Sequence, residues 1–341
     1  MSLPSGDRPW IEAYRPNLLD NIILPQMERK ILDSILKDAA SHSSSTPDSN
    51  RTNMPNLMLV GPTGIGKTSV TLCIARQVLG SRFSQGMLML DCSDDRGITA
   101  VESLEAFCKK SSSYTNVDGK TCTSPKIIIF DEADRITDKA QMAIGELMNT
   151  YPDVTFTFTC NDSTFVVEGI QSKCVILRLQ PIARNMMSER LIQICDSHGA
   201  KWSQTGIDEA VIDSNGDMRR AINIAQSVWS GFGEITEETI RKLHPRPATS
   251  ILRQILELCS KGELGAALKI VHRMIGDGTS AQDIMSGMQT FLKIDTEFDD
   301  KYRMRCTTVL GKSMLVAHSH QTQLQLDACI AGMCAEALKV E

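Results

Sequence analysis

Residues 56–80 read NLMLVGPTGIGKTSVTLCIARQVLG, and this stretch decides the fold. NLMLV is a short apolar run that fits a buried strand, while the residues from Thr68 onward carry a helical pattern closed by Gly80. Between them GPTGIGKTS, residues 61–69, matches G-x-x-x-x-G-K-[ST]. Glycines in such a loop let backbone N–H groups turn inward on phosphate, and the following helix aims its positive end the same way. The order strand, loop, helix therefore predicts a site for a nucleoside triphosphate. Gly61, Pro62, Thr63, Gly64, Ile65, Gly66 and Ser69 form its cradle, Lys67 meets the β- and γ-phosphates, and Thr68 ligates Mg²⁺.

Working outward, MLMLD (87–91), IIIF (127–130), VTFTFTC (154–160) and VILRL (175–179) are further short apolar runs. They alternate with helical segments, which predicts an α/β fold with a parallel sheet covered on both faces. Residues 26–38 have helical spacing, and the Ser/Thr/Asn/Asp-rich stretch at 40–53 reads as a surface loop. A polar stretch, 109–126, precedes the third strand. After residue 180 the strand signals stop and helical periodicity dominates. Pro245 and Pro247 mark a break, and about five amphipathic helices follow from Ser250. Their apolar faces suit either a bundle core or contact with sister subunits.

IIIFDEAD, residues 127–134, completes the chemistry. Asp131 ends a buried strand, where it can hold the water shell of Mg²⁺, and Glu132 is placed to orient and deprotonate an attacking water. TCND (159–162) closes the fourth strand and puts Asn161 at the carboxyl edge of the sheet, where doubly wound folds bind ligands. An amide there either forms a turn or senses the γ-phosphate. GDMRRAIN (216–223) opens a helix whose Arg219 is either solvated or reaches the nucleotide.

A chain of 341 residues exceeds one compact core and suits two or three domains. No apolar run of about 18 residues occurs, and MSLPSGDRPW has neither a basic n-region nor an apolar h-region, so neither a membrane nor secretion is expected. The eleven cysteines include no CxxC pair and sit mostly in apolar stretches, as reduced, buried thiols of an intracellular protein do. A net charge of −5 argues against a free-standing nucleic-acid binder but not against one subunit of a machine that touches DNA locally.

In fixed order these residues resemble replication factor C small subunits over about the first 245 residues. PWIEAYRP (9–16), with Tyr14, Arg15 and Pro16, looks like the family's adenine-packing N-terminal signature. DCSDDRGI (91–98) resembles the segment after its second strand, CNDSTFVVEGIQSKC (160–174) its sensor-1 strand and arginine-finger motif, and GDMRRAIN its sensor-2 helix. LQLDACIAGM (324–333) is similar to the last helix of its collar. The resemblance implies an AAA+ core over residues 1–180, a helical lid over 181–246 and an oligomerising all-helical collar over 247–341. It further implies ATP hydrolysis inside a hetero-pentamer that loads a sliding clamp onto primer–template DNA, in the nucleus if the host is a eukaryote. Other AAA+ DNA-processing ATPases and a nucleotide-binding scaffold subunit are the competing readings. An initiator would append a winged helix after residue 247, and a scaffold has no use for Glu132.

Three positions depart from the family pattern. Ser172-Lys173-Cys174 stands where the family has Ser-Arg-Cys, whose Arg acts on a neighbour's ATP. Gly145-Glu146 replaces an Arg-Arg pair, and AVESLEAF (100–107) offers Glu102 and Glu105 where basic residues face DNA. Ile98, Val101, Leu104 and Phe107 form an apolar stripe on that helix, suited either to the clamp or to the sheet.

Overall fold

The computed structural model describes residues 8–41, 54–93, 98–110, 113–115, 121–123, 125–244, 249–294, 298–317 and 322–338. Ala40 and Ser41, read as loop, end the helix Gln26–Ser41; the rest of that reading, 42–53, and the proline break at 245–248 lie outside the described residues. Contacts divide the chain into two compact units, Met1–Glu237 and Glu238–Glu341.

The first unit is built on five parallel strands: β1 (Asn56–Val60), β2 (Met87–Asp91), β3 (Lys126–Asp131), β4 (Val154–Cys160) and β5 (Cys174–Arg178). Their order across the sheet is β2-β3-β4-β1-β5. Alternation along each strand sends side chains to two faces, and in the central strands β1, β3 and β4 both are buried, whereas the edge strands β2 and β5 are partly exposed. Leu57, Leu59, Ile127, Ile129 and Leu177 pack on one face under α1 (Gln26–Ser41) and α2 (Lys67–Leu79), which contribute Leu32, Leu36, Val70, Cys73 and Ile74. Met58, Ile128, Phe130, Phe156 and Phe158 pack on the other. There they meet α3 (Ile98–Lys109) through Leu104 and Cys108, and α4 (Asp138–Thr150) through Ile144 and Leu147. Phe130 stacks on Phe158 with ring centroids 4.9 Å apart.

Leu104 is 1% exposed and Phe107 packs against the same core, so these two residues serve the sheet and not a clamp-facing surface. The side chains of Ile98 and Val101 are outside the described set. Burial of α3 is reinforced by Lys126, whose Nζ donates to the carbonyls of Phe107 (3.0 Å), Cys108 (2.8 Å) and Lys110. A cation here meets the negative end of the helix.

The structure adds strands where the sequence showed none. Ser113–Thr115 pairs antiparallel with Thr121–Thr123 inside the polar stretch, and Lys201–Trp202 pairs parallel with Glu234–Ile235 beyond residue 180. Two or three residues are too few to carry a period. The rest of the first unit is helical: α5 (Arg184–Ser197), α6 (Gln204–Ser214) and α7 (Met218–Phe232). The N-terminal turn Trp10–Ala13 is fastened to them. Trp10 N donates to Gln226 Oε1 at 2.8 Å, and the Trp10 ring stacks on His198 with centroids 4.5 Å apart.

The second unit contains α8 (Thr249–Ser260), α9 (Leu264–Gly276), α10 (Ala281–Ile294), α11 (Asp300–Ala317) and α12 (Thr322–Leu338) around one apolar core. Cys259, Cys306, Cys329 and Cys334 lie inside it. Every cysteine whose side chain is described is a free thiol. Burial pushes the Cys306 and Cys329 thiols up to about 11, which makes them unreactive. No described helix is long and apolar enough to cross a membrane.

Candidate functional site

The loop between β1 and α2 adopts backbone that only its glycines permit. Gly66 has φ 95° and caps α2, and Gly64 has φ 72°. A Cβ on Gly64 would lie 1.7 Å from Asp217 Oδ1. Asp217 is the N-cap of α7, accepting from Arg220 N at 3.0 Å, and Met218 N donates to Gly64 O at 3.2 Å. The phosphate loop is thus tied to the helix that carries Arg219. For Gly64→Ala we expect a left-handed alanine, itself costing about 1–2 kcal/mol, to push Asp217 aside. Titration with a fluorescent nucleotide should then show at least a roughly tenfold weaker affinity, about 1.4 kcal/mol.

A cavity of about 460 Å³ opens over the carboxyl ends of the strands. Thr63, Gly64, Ile65, Gly66, Lys67, Thr68 and Ser69 line it from the loop, Asp131, Glu132 and Asn161 from the sheet edge. Tyr14, Arg15 and Pro16 line it from the N-terminal segment, and Arg219 from α7. Gly61 and Pro62 stand outside the lining and act through their carbonyls. Lys67 Nζ donates to Gly61 O (2.7 Å), Pro62 O (2.8 Å) and Asn161 Oδ1 (2.9 Å), using all three of its protons. Burial lowers the pKa of this ammonium, and Cys160, Asp131, Asp134 and Glu132 oppose the shift.

Thr68 Oγ1 lies 2.9 Å from each Asp131 oxygen. A hydroxyl and a carboxylate held together at a strand end are hard oxygen donors of the kind Mg²⁺ takes, so the residues fit that ion. Glu132 is left-handed, with φ 56° and ψ 47°, and its N–H donates to Thr159 Oγ1 at 3.2 Å. Its carboxylate is engaged: Arg135 Nε sits 2.7 Å from Glu132 Oε2. Lys173 is not in the cavity. Its Nζ donates to Gly145 O at 2.8 Å, so two of the three departures from the family pattern are in contact with each other.

Sequence reasoning missed three residues. Thr159 donates to Asp131 Oδ1 while accepting from Glu132 N, and so fixes both acids. Its signal was its place two residues before Asn161 on the same strand. Asp134 Oδ2 accepts from Asn161 N at 3.1 Å. Arg190 of α5 lines the cavity and reaches Gln193 Oε1 at 3.1 Å and Tyr14 O at 3.5 Å. Nothing local in the sequence marks Arg190, because it approaches from a distant helix.

The geometry agrees with comparisons to known proteins. Residues 57–176 match the model "ATPase family associated with various cellular activities (AAA)", and residues 247–332 match "Replication factor C C-terminal domain". The chain is 32% identical over 336 residues to "Probable replication factor C subunit 2" of Dictyostelium discoideum, covering 98% of this chain and 94% of that one. It is 32% identical over 327 residues to "Replication factor C subunit 4" of Saccharomyces cerevisiae, covering 95% and 94%. A putative replication factor C small subunit of Acanthamoeba polyphaga mimivirus is 30% identical over 96% of this chain and 97% of its own. Among solved structures, the RuvB Holliday junction branch migration motor of Thermotoga maritima aligns with TM-score 0.53 at 15% identity, over 77% of this chain and 86% of that one, a likeness of fold alone. An AAA-type ATPase domain followed by a replication factor C C-terminal domain, with near-full-length relatives at this identity, places the chain in the replication factor C small-subunit family of AAA+ clamp-loader ATPase subunits.

Proposed function

We propose that this chain binds and hydrolyses ATP as one subunit of a hetero-pentamer that loads a sliding clamp onto primer–template DNA, in the nucleus of a eukaryotic host. The observation that carries the reading is the convergence of Lys67, Thr68, Asp131, Glu132 and Asn161 on one cavity. In this reading residues 1–180 are the AAA+ core, 181–246 the lid and 247–341 the collar.

The roles follow from the contacts. Backbone N–H groups from Thr63 to Ser69 cradle the phosphates, and Lys67 exchanges its carbonyl partners for phosphate oxygens. Thr68 and Asp131 would hold Mg²⁺, which neutralises charge on the phosphates when bound. Glu132 takes the proton of the attacking water. Asn161 orients that water and reports on the γ-phosphate, helped by its link to Asp134. Tyr14, Arg15 and Pro16 pack on the base, and Arg219 closes the site from α7.

The collar reading is supported by the outer face of α12. Leu324, Ala328, Ala331, Ala335 and Leu338 follow helical spacing, and Leu324 and Leu338 are more than half exposed. An apolar face of that kind fits a sister subunit.

Lys173 is the finger offered to the neighbour's ATP. An arginine finger contributes about 10³–10⁵ in rate, or about 4–7 kcal/mol. Lysine keeps the charge without the planar fork, and Lys173 is folded onto Gly145 O. The outgoing activation is therefore weak. The test is to purify the chain with its partners, identify them, and measure DNA-stimulated ATP turnover for wild type and Lys173→Ala. We expect a loss well below a thousandfold; a loss of a thousandfold or more would show a full finger and overturn this part. Recovery of no clamp-loader partners would overturn the whole.

A further inference from the structure

Arg190 brings a positive charge from α5 into the lining of the cavity. Among the described residues it forms no ion pair: Nη1 donates to Gln193 Oε1 at 3.1 Å and Nη2 to Tyr14 O at 3.5 Å, the outer limit for such a bond. A guanidinium carries several N–H donors, so two neutral acceptors leave it incompletely satisfied. Burial lowers its pKa, and Tyr14 opposes the shift. A partly buried cation without an acid beside it is costly for a fold to keep, and such groups cluster where a ligand binds.

Its surroundings say which part of a ligand it meets. The phosphate side of the cavity already has Lys67 and the loop from Thr63 to Ser69. Arg190 is bonded instead to Tyr14, which shares the lining with Ile11, Pro16, Ile182, Met218 and Ile222. Those apolar side chains offer surface to a flat ring and no partner to a phosphate. A guanidinium is planar and weakly hydrated, and it stacks on aromatic faces where an ammonium does not. Such stacking gains strength where the cation is desolvated.

We propose that Arg190 is a nucleoside-binding residue, which lays its guanidinium plane on the purine ring while Tyr14 O and Gln193 Oε1 hold that plane in position. The inference rests on the cavity being the ATP site, with the base beside Tyr14. It makes α5 one wall of the base pocket. The N-terminal segment is the other, so the base joins elements 176 residues apart.

The test is equilibrium titration of the purified full-length chain with fluorescent ATP and ADP analogues. Arg190→Ala should weaken both by the same factor, about three- to thirtyfold, because the base is common to them. Arg190→Met, which keeps the apolar stem in place, should lose as much and guards against a folding defect in the alanine variant. Arg190→Lys should bind as poorly as Arg190→Ala. A lysine still reaches a carbonyl or a phosphate as a point charge but has no plane to stack, so affinity restored to within about twofold by Arg190→Lys would reveal a mere tether or a phosphate contact and overturn the proposal. A larger loss for ATP than for ADP would place the charge at the γ-phosphate and overturn it too, as would unchanged affinity in Arg190→Ala and Arg190→Met. Lys67→Ala separates this from the reading beneath it: if that variant binds both nucleotides as wild type does, the cavity is not the ATP site, whatever Arg190 does.

Discussion

Glu132→Gln should abolish most ATP turnover at this site while leaving nucleotide binding intact. The substitution preserves size and left-handed backbone, and the cradle of Gly64, Gly66 and Lys67 is untouched. What it removes is the group proposed to accept water's proton. General base catalysis contributes about 10²–10⁴ in rate, so the barrier should rise by about 2.7–5.4 kcal/mol. Phosphate release by the assembled complex measures the loss, and titration with a fluorescent nucleotide measures the retained affinity. Unchanged turnover would favour a subunit that binds nucleotide only to hold the assembly together.

The largest expected effect on stability is Phe130→Ala. Phe130 is 1% exposed, stacks on Phe158 at 4.9 Å and lies 6.5 Å from Phe156. Removing the ring leaves a cavity bounded by two other aromatics that cannot collapse into it. Phe→Ala changes in cores cost about 3–5 kcal/mol. For a unit of this size each kcal/mol corresponds to about 2–4 °C, so the melting transition of the first unit should fall by about 6–20 °C. Differential scanning calorimetry checks this. Because Phe130 precedes Asp131, the same variant should bind nucleotide more weakly at temperatures where it is still folded. A fall of less than about 2 °C would mean that the stack is not what holds β3 between β2 and β4.

Much of this was legible along the chain. NLMLVGPTGIGKTS defines a strand, a turn and a helix start in consecutive residues, and the observed β1 and α2 occupy that stretch. The five sheet strands were visible as short apolar or β-branched runs: β1, β3 and β4 are buried on both faces, while the edge strands β2 and β5 are only partly buried. Asp131 and Glu132 were readable because a strand-end acid pair is a local pattern. Membership of the family followed from several such local patterns in a fixed order.

Tertiary structure decided which distant groups meet. Lys67 and Asn161 are 94 residues apart, and Thr159 and Asp131 are 28 apart. They touch because β4 lies between β1 and β3. Hydrophobic periodicity reports which residues are buried but not which strand stands beside which, so Arg190 carried no signal and Thr159 only its place near Asn161. The same limit applied to α3, where helical spacing gave a stripe but only packing showed that Leu104 faces the sheet. The Arg135–Glu132 pair lies three residues apart in sequence and was still hidden. Its geometry depends on Thr159, a residue of another strand, holding Glu132 in the left-handed region. The sequence by itself determined the parts of the ATP site and their family, since those are written in short-range patterns. Only the folded sheet determined how the acids, the lysine and their restraining arginine face one another, since that depends on contacts between strands far apart in the chain.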